Sequence, residues 1–289
     1  MRRILVLRGG ALGDGIVALP ALRELRSKWP AARIDLVGNA AVGGLAVSHG
    51  IINQTESPHT APWHQLYASA LDIGFREHLA NYDCVISFWA DPDGDIARVF
   101  PVRPRQIYLS ADALPRTRPA ARHFNALIQS ITGSVAPDWI QLVPPRPVAN
   151  LIAIHPGSGS PRKNWPLNRW EKIADWLRTT MCMNPVFILG EAEAALVPAA
   201  HFEVWRNLPL AELARRLATC RLFLGHDSGI SHLAGAYCHA GLLLFGPTDP
   251  GIWAPPNPQF KVLGVDGELS AINVEQVRSR ISAVLADQT

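Results

Sequence analysis

Between His226 and Thr248 the chain reads HDSGISHLAGAYCHAGLLLFGPT, which sets an acidic residue, a small polar pair and a histidine between a strand and a helix. Arg221 to Gly225 has the composition of a short buried strand, and Ile230 to Tyr237 that of a helix rich in small apolar residues. A helix start leaves several backbone N–H groups without intrahelical partners, and the positive end of the helix dipole draws phosphate oxygens to them. Ser228 can cap that helix or donate to a phosphate, and Gly229 lets a ligand approach the backbone closely. Asp227 repels a bare phosphate, so a hydroxyl group is its fitting partner. His232, three positions beyond Gly229, lies on the first turn and can face the same ligand. Taken alone, the segment is equally an ordinary capped helix carrying a half-buried imidazole.

A second loop supplies matching chemistry. From His155 to Pro166 the chain reads HPGSGSPRKNWP. Its small residues leave room for a diphosphate, Ser158 and Ser160 can donate hydrogen bonds, and Arg162 or Lys163 can neutralise negative charge. The spacing is not that of an ATPase P-loop. A third loop, Arg8-Gly9-Gly10-Ala11-Leu12-Gly13-Asp14, follows the first strand. It lacks the dinucleotide fingerprint G-x-G-x-x-G, which argues against a nicotinamide-dependent oxidoreductase. An aspartate at a helix start is commonly a cap, yet Asp14 at the carboxyl end of a strand can also accept a proton from a hydroxyl.

Metal chemistry finds little support. Asp91-Pro92-Asp93-Gly94-Asp95 resembles a calcium loop only in part, because such a loop needs glycine where Ile96 stands and a carboxylate at Val102. An acidic turn is the better reading. The ten histidines show no metal-binding spacing, and Cys84, Cys182, Cys220 and Cys238 are too scattered for a zinc site or a disulfide framework. No metal site is expected.

The elements that must hold these loops alternate between strand and helix, which argues for α/β architecture with parallel sheets. In the first half, strands are expected at Ile4–Arg8, Ile34–Val37, Cys84–Phe88 and Gln106–Leu109, with helices at Gly15–Lys28, within His64–Ala80, and at Ala120–Ile131. Pro144-Pro145-Arg146-Pro147 reads as a linker, since three prolines in four residues continue neither a helix nor a central strand. Beyond it, strands are expected near Leu151–His155, Pro185–Leu189, Glu203–Trp205, Leu222–Gly225 and Leu242–Phe245, with helices at Leu167–Thr179, Leu210–Ala218, Ile230–Tyr237 and Asn273–Ala286. Two Rossmann-like domains, 1–147 and 148–289, follow from this pattern, with a ligand cleft expected between them. The final helix is a candidate for packing back on the first domain.

At 289 residues the chain is long enough for two domains with separate cores, and 48% hydrophobic against 18% charged residues suits a soluble enzyme. No apolar run spans a bilayer and no signal-peptide pattern precedes RRILVLR, so a cytoplasmic location is expected. A net charge of +3 is too small to argue for nucleic acid. The arginines at 98, 103, 105, 116, 118 and 122 nonetheless face only Asp112 within their span, an excess that suits an anionic acceptor or membrane surface as well as a solvated loop.

Three segments together, RILVLRGGALGDGIVALPALRELRSKWP, HPGSGSPRKNWPLNRWEKIADWL and LFLGHDSGISHLAGAYCHAGLLLFGPTDP, resemble the inverting ADP-heptose:lipopolysaccharide heptosyltransferases of glycosyltransferase family nine, as does the strand Tyr82-Asp83-Cys84-Val85-Ile86. The likeness is much weaker from about Gly50 to Pro145, the N-terminal half is short for the family, and DPDGD replaces its usual polar loop. The resemblance implies a GT-B fold whose C-terminal domain holds a sugar nucleotide. It implies Asp14 as general base beside Gly13; Ser158, Gly159 and Lys163 as the donor-phosphate loop, with Lys163 stabilising the leaving group; and Asp227, Ser228, Gly229 and His232 as the donor turn. Glu193 matches a ribose-binding acid, with Glu191 as its competitor. The implied activity is metal-independent, inverting transfer of a heptose or related sugar to a glycan or lipid-linked acceptor, without a cofactor; peripheral contact with the inner face of the membrane joins the expected cytoplasmic location. The alternative is a non-catalytic sugar-nucleotide-binding protein of the same fold.

Overall fold

In this computed structural model, residues 1–68, 70–147, 150–264 and 267–287 are described. The chain divides into two compact units, Met1–Asp138 and Trp139–Thr289. The division falls ahead of the proline-rich segment expected to be the linker. Residues 139–147 are already tied to the second unit, where Leu142 N–H donates to Ala236 O at 2.9 Å and Arg146 N–H to Ala218 O at 2.9 Å. The expected boundary at 147/148 adjoins residues 148 and 149, which lie outside those described.

The first unit runs β1 (Arg3–Arg8), α1 (Leu12–Lys28), β2 (Arg33–Gly38), α2 (Ala40–Ser48), β3 (Gln54–Glu56), α3 (Ile73–Ala80), β4 (Cys84–Ser87), α4 (Asp95–Val99), β5 (Ile107–Ser110) and α5 (Ala121–Thr132). Its strands form a parallel sheet in the order β3-β2-β1-β4-β5. β1 and β4 occupy the middle because their apolar runs can be buried on both faces, as parallel sheets require: Ile4, Leu5, Leu7, Cys84, Val85 and Ile86 are fully enclosed.

The second unit runs β6 (Leu151–Ile154), α6 (Leu167–Thr179), β7 (Asn184–Leu189), β8 (Glu203–Arg206), α7 (Leu210–Leu217), β9 (Leu222–His226), α8 (Gly229–Tyr237), β10 (Gly241–Phe245), α9 (Pro250–Trp253), β11 (Phe260–Gly264) and α10 (Val274–Ala286). The parallel order is β11-β10-β9-β6-β7-β8. The final helix, the candidate for a return to the first domain, buries Val277, Ile281, Val284 and Leu285 in the second unit's own core with Trp170, Ile173 and Leu177 of α6. Asn273 starts it, accepting the Gln276 N–H, while the Gln276 side chain accepts the Asn273 N–H in return.

Both strand orders reverse direction once, between β1 and β4 in the first unit and between β6 and β9 in the second. Loops that leave adjacent strands at such a reversal splay to opposite sides and open a crevice at the carboxyl ends of the strands. The Arg8–Asp14 loop follows β1, the His155–Pro166 loop follows β6, and Asp227-Ser228 follows β9. The three loops singled out by chemistry are thus placed at the two reversal points by topology. The α/β architecture with two parallel sheets is that of the GT-B class.

Candidate active site

In the first unit, Asp14 is built into the start of α1. The helix begins after Ala11, which has no capping side chain, and the Asp14 carboxylate takes that role by accepting the Ala11 N–H at 2.9 Å. Gly10 adopts φ +101°, and a Cβ there would lie 2.7 Å from Asp14 Oδ2, so glycine is required on both counts. The other carboxylate oxygen accepts from Arg8 Nη2 at 3.1 Å. Arg8 also donates through Nε to Asp14 O and through Nη1 to Ala113 O, and its guanidinium lies over the Phe124 ring at 4.7 Å. Burial pulls the Arg8 pKa below its ordinary value, opposed by the Asp14 charge. Asp14 therefore sits fixed in orientation but one-third exposed, on the wall of a cavity of about 750 Å³. Gly13 lies beside it on the first turn of α1.

Aromatic side chains form much of the rest of that cavity. Tyr67 and Trp89 lie parallel, centroids 6.1 Å apart, and the Tyr67 hydroxyl donates to Ala90 O at 3.0 Å. The DPDGD stretch lies outside the cavity lining. Asp91 caps α4, accepting the N–H groups of Ile96 and Ala97, and Asp95 pairs with Arg98, so the acidic turn has a structural use. Among the basic residues of the same region, Arg103 pairs with Asp83 and Arg122 with Asp138, which shrinks the expected positive excess.

In the second unit the loops after β6 and β9 meet. Lys163 Nζ donates to Asp227 Oδ2 at 2.9 Å, so the cation and the acid of the two loops form one group. Ser228 caps α8 by accepting the Ser231 N–H at 3.2 Å, and Gly229 opens the helix. His232 lies buried on its first turn. The Ser228 hydroxyl also lies 3.3 Å from His155 Nδ1, and on the far side of that imidazole Glu193 Oε2 stands 3.7 Å from Nε2. His155, foremost by its hydrogen bond, lowers the Glu193 pKa against the opposing cost of burial. Glu193 is buried and accepts the Gly190 N–H, whereas Glu191 is exposed.

Two details differ from the sequence-based expectation. The space left by Gly157 is filled by the Glu193 carboxylate, which a Cβ at that position would overlap, while Gly159 faces open space. Ser158 spends its hydroxyl inside the loop, within reach of Ser160 O at 2.8 Å and Asn164 Oδ1 at 2.6 Å and accepting the Ser160 N–H. It shapes the turn that presents Lys163.

The loop is also anchored from below. His226 is completely buried, and its Nε2 accepts both the Trp165 N–H at 2.9 Å and the Trp170 indole N–H at 3.3 Å. An acceptor at Nε2 places the proton on Nδ1, and burial drives the imidazole's pKa down to about 3, so it is neutral at physiological pH. Trp165 is a core residue whose indole donates to Ile272 O. Arg8, His155 and His226 carry roles that the loop spacing does not reveal. Their signal is position: each stands at the last residue of a buried strand or the next one, where a polar side chain needs a partner.

Comparison with known proteins finds similar chains and folds. The family model of glycosyltransferase family 9 (heptosyltransferase) matches residues 121–280, more than half of the chain. Lipopolysaccharide heptosyltransferase 1 of Pseudomonas aeruginosa is 28% identical over 283 residues, covering 86% of this chain and 80% of the relative. The protein of that name from Escherichia coli K12 is 24% identical, covering 86% and 89%. Among solved structures, a glycosyl transferase family 9 protein from Veillonella parvula superposes with a TM-score of 0.77 at 20% identity, covering 99% of this chain and 98% of its own. An E. coli heptosyltransferase solved with ADP gives 0.73 at 19% identity, covering 98% and 99%. Among the described residues no group of potential ligands is arranged for a metal ion, and no helix is long and apolar enough to cross a membrane.

Proposed function

We propose that this chain, which belongs to glycosyltransferase family 9 (heptosyltransferase), moves a heptose or related sugar from an ADP-linked donor to a hydroxyl of a glycan or lipid-linked acceptor, inverting the anomeric carbon without a metal ion. The observation that carries the reading is the Lys163–Asp227 pair beside the capped start of α8. It sets a cation beside the N-terminus of a helix, which is what a departing nucleoside diphosphate needs as its charge grows. Asp227 and His232 are assigned to polar groups of the sugar or its neighbourhood, and Glu193 to the ribose. The adenine nucleotide rests on the ADP named with the E. coli structure.

The acceptor hydroxyl is a weak nucleophile, so Asp14 takes its proton as the oxygen forms the new bond to the anomeric carbon and the bond to the diphosphate oxygen breaks. Arg8 and the Ala11 N–H hold the carboxylate still for that transfer. The proposal includes a cytoplasmic location with peripheral contact to an anionic membrane surface, supported by the exposed side chains of Arg105 and Arg116. The non-catalytic alternative draws no support from relatives that are named as transferases.

A thermal-shift screen followed by mass spectrometry of products tests the reading. ADP and ADP-heptose are expected to raise the melting temperature and NAD(P) to leave it unchanged. Transfer is expected to survive EDTA and to give the inverted anomer by NMR. Asp14→Asn is expected to abolish transfer while donor affinity stays within about threefold, since the lost group acts on the acceptor. Normal turnover by that variant removes Asp14 from the mechanism.

A further inference from the structure

We infer that the aromatic cavity beside Asp14 takes an uncharged sugar ring, laid on the exposed face of Tyr67, as the acceptor's reacting unit; this rests on the transferase reading above. Three observations carry it.

Tyr67 is a large aromatic left 47% exposed on the wall of the cavity. It is rigid, with its hydroxyl bound to Ala90 O and its ring parallel to Trp89. The face of an aromatic ring is electronegative, and the row of C–H groups on one face of a pyranose is weakly positive, so the two pack well. A fixed ring loses little entropy when it does so.

The charges that line the cavity cancel one another. Among the described residues Arg8 is the only Lys or Arg in the lining; it is buried, it spends three of its five N–H donors on Asp14 O, Asp14 Oδ1 and Ala113 O, and the Asp14 carboxylate balances its charge. A carboxylate on the bound sugar would compete with Asp14 for the Arg8 charge and would lie near the Asp14 charge. Neutral hydroxyls meet no such opposition.

The remaining polar groups suit hydroxyls. Asn39 uses its carbonyl oxygen to cap α2, accepting from Ala41 and Val42 N–H. Ser57, His59 and His64 also line the cavity. The Trp89 indole N–H, buried next to Gly9, has no hydrogen-bond partner among the described residues.

Octyl mannopyranoside and octyl mannuronide differ by one carboxylate and probe this directly by saturation-transfer NMR, then as acceptors with ADP-heptose. The mannoside is expected to bind about tenfold more tightly than the mannuronide. Tyr67→Ala is expected to weaken mannoside binding about tenfold and raise its KM without changing the donor KM, and Tyr67→Phe to recover most of the loss. Equal or tighter binding of the mannuronide overturns the inference, as does mannoside binding that is undetectable or indifferent to Tyr67→Ala. Binding of the mannoside that depends on Tyr67, with no transfer to any acceptor, keeps the sugar site and removes the transferase reading.

Discussion

Lys163 and Asp227 stand 64 residues apart in the chain yet share a 2.9 Å charge-assisted hydrogen bond, which joins the loops after β6 and β9. Asp227 is mostly buried, so it gains from the cation, and Lys163 in turn is held at the head of α8. If the two act as a unit, their losses do not add. Lys163→Ala is expected to lower kcat by about a hundredfold through lost stabilisation of the leaving diphosphate, and Asp227→Asn by about tenfold. The double variant should be no worse than Lys163→Ala. Additive losses in steady-state kinetics, with melting temperatures checked in parallel, disprove the coupling.

The Asp14 carboxylate depends on the backbone beneath it. Gly10→Ala is expected to cost about 1 kcal/mol or more from the left-handed backbone alone, with a further displacement of Asp14 and a fall in kcat. Gly44→Ala, on a helix face with nothing within 4 Å, is expected to be neutral or slightly stabilising. Urea unfolding and turnover of both variants measure the contrast; equal behaviour of the two means that Gly10 is not needed where it stands.

His226 predicts a pH dependence. Its pKa falls from an ordinary 6.5 to about 3 in the fold, so the unfolded chain binds one more proton than the native chain between those values. Stability is therefore complete above pH 6.5 and declines as pH drops below it, with a slope approaching about 1.4 kcal/mol per pH unit from this residue. Glu193, depressed from 4.5, adds its own loss only lower down. His49 shifts in the same direction as His226, so comparison with a variant isolates the effect. His226→Gln is expected to flatten the urea midpoint between pH 6.5 and 4.5, and an unchanged slope rules out His226 as the source.

Thiol chemistry separates the four cysteines. Cys182 is exposed, whereas Cys84, Cys220 and Cys238 are buried and burial pushes their thiols up, Cys84 and Cys238 to about 12. Native alkylation at pH 8 is expected to add one label, at Cys182. Rapid labelling of a second cysteine means local opening of the core around it.

Much of the fold is legible from hydrophobic runs. β1, β4, β6, β9 and β10 are short and almost wholly apolar, and their alternation with helices predicts two parallel sheets. One edge of each sheet escapes because β3 is three polar or charged residues, Gln54-Thr55-Glu56, and β11 carries Lys261, whereas the opposite edges, β5 and β8, are legible. α2 escapes because Gly43 and Gly44 weaken its helical signal; a Cβ at Gly43 would overlap Thr55, so close packing demands the glycine. In the site, Ser228 and Asp14 are visible from their place at helix starts. The contacts of Arg8 with Ala113, of His226 with Trp165 and of Tyr67 with Trp89 are not, because each partner is set by the tertiary fold and not by local spacing.

The Glu193 carboxylate occupying the place of a Gly157 side chain has a consequence for redesign. The two positions behave as a single unit of volume. A substitution that shortens Glu193 alone leaves a hole above Gly157, and one that enlarges Gly157 alone expels the acid. Tolerated changes there should appear as paired substitutions, a shorter residue at 193 accompanying a larger one at 157.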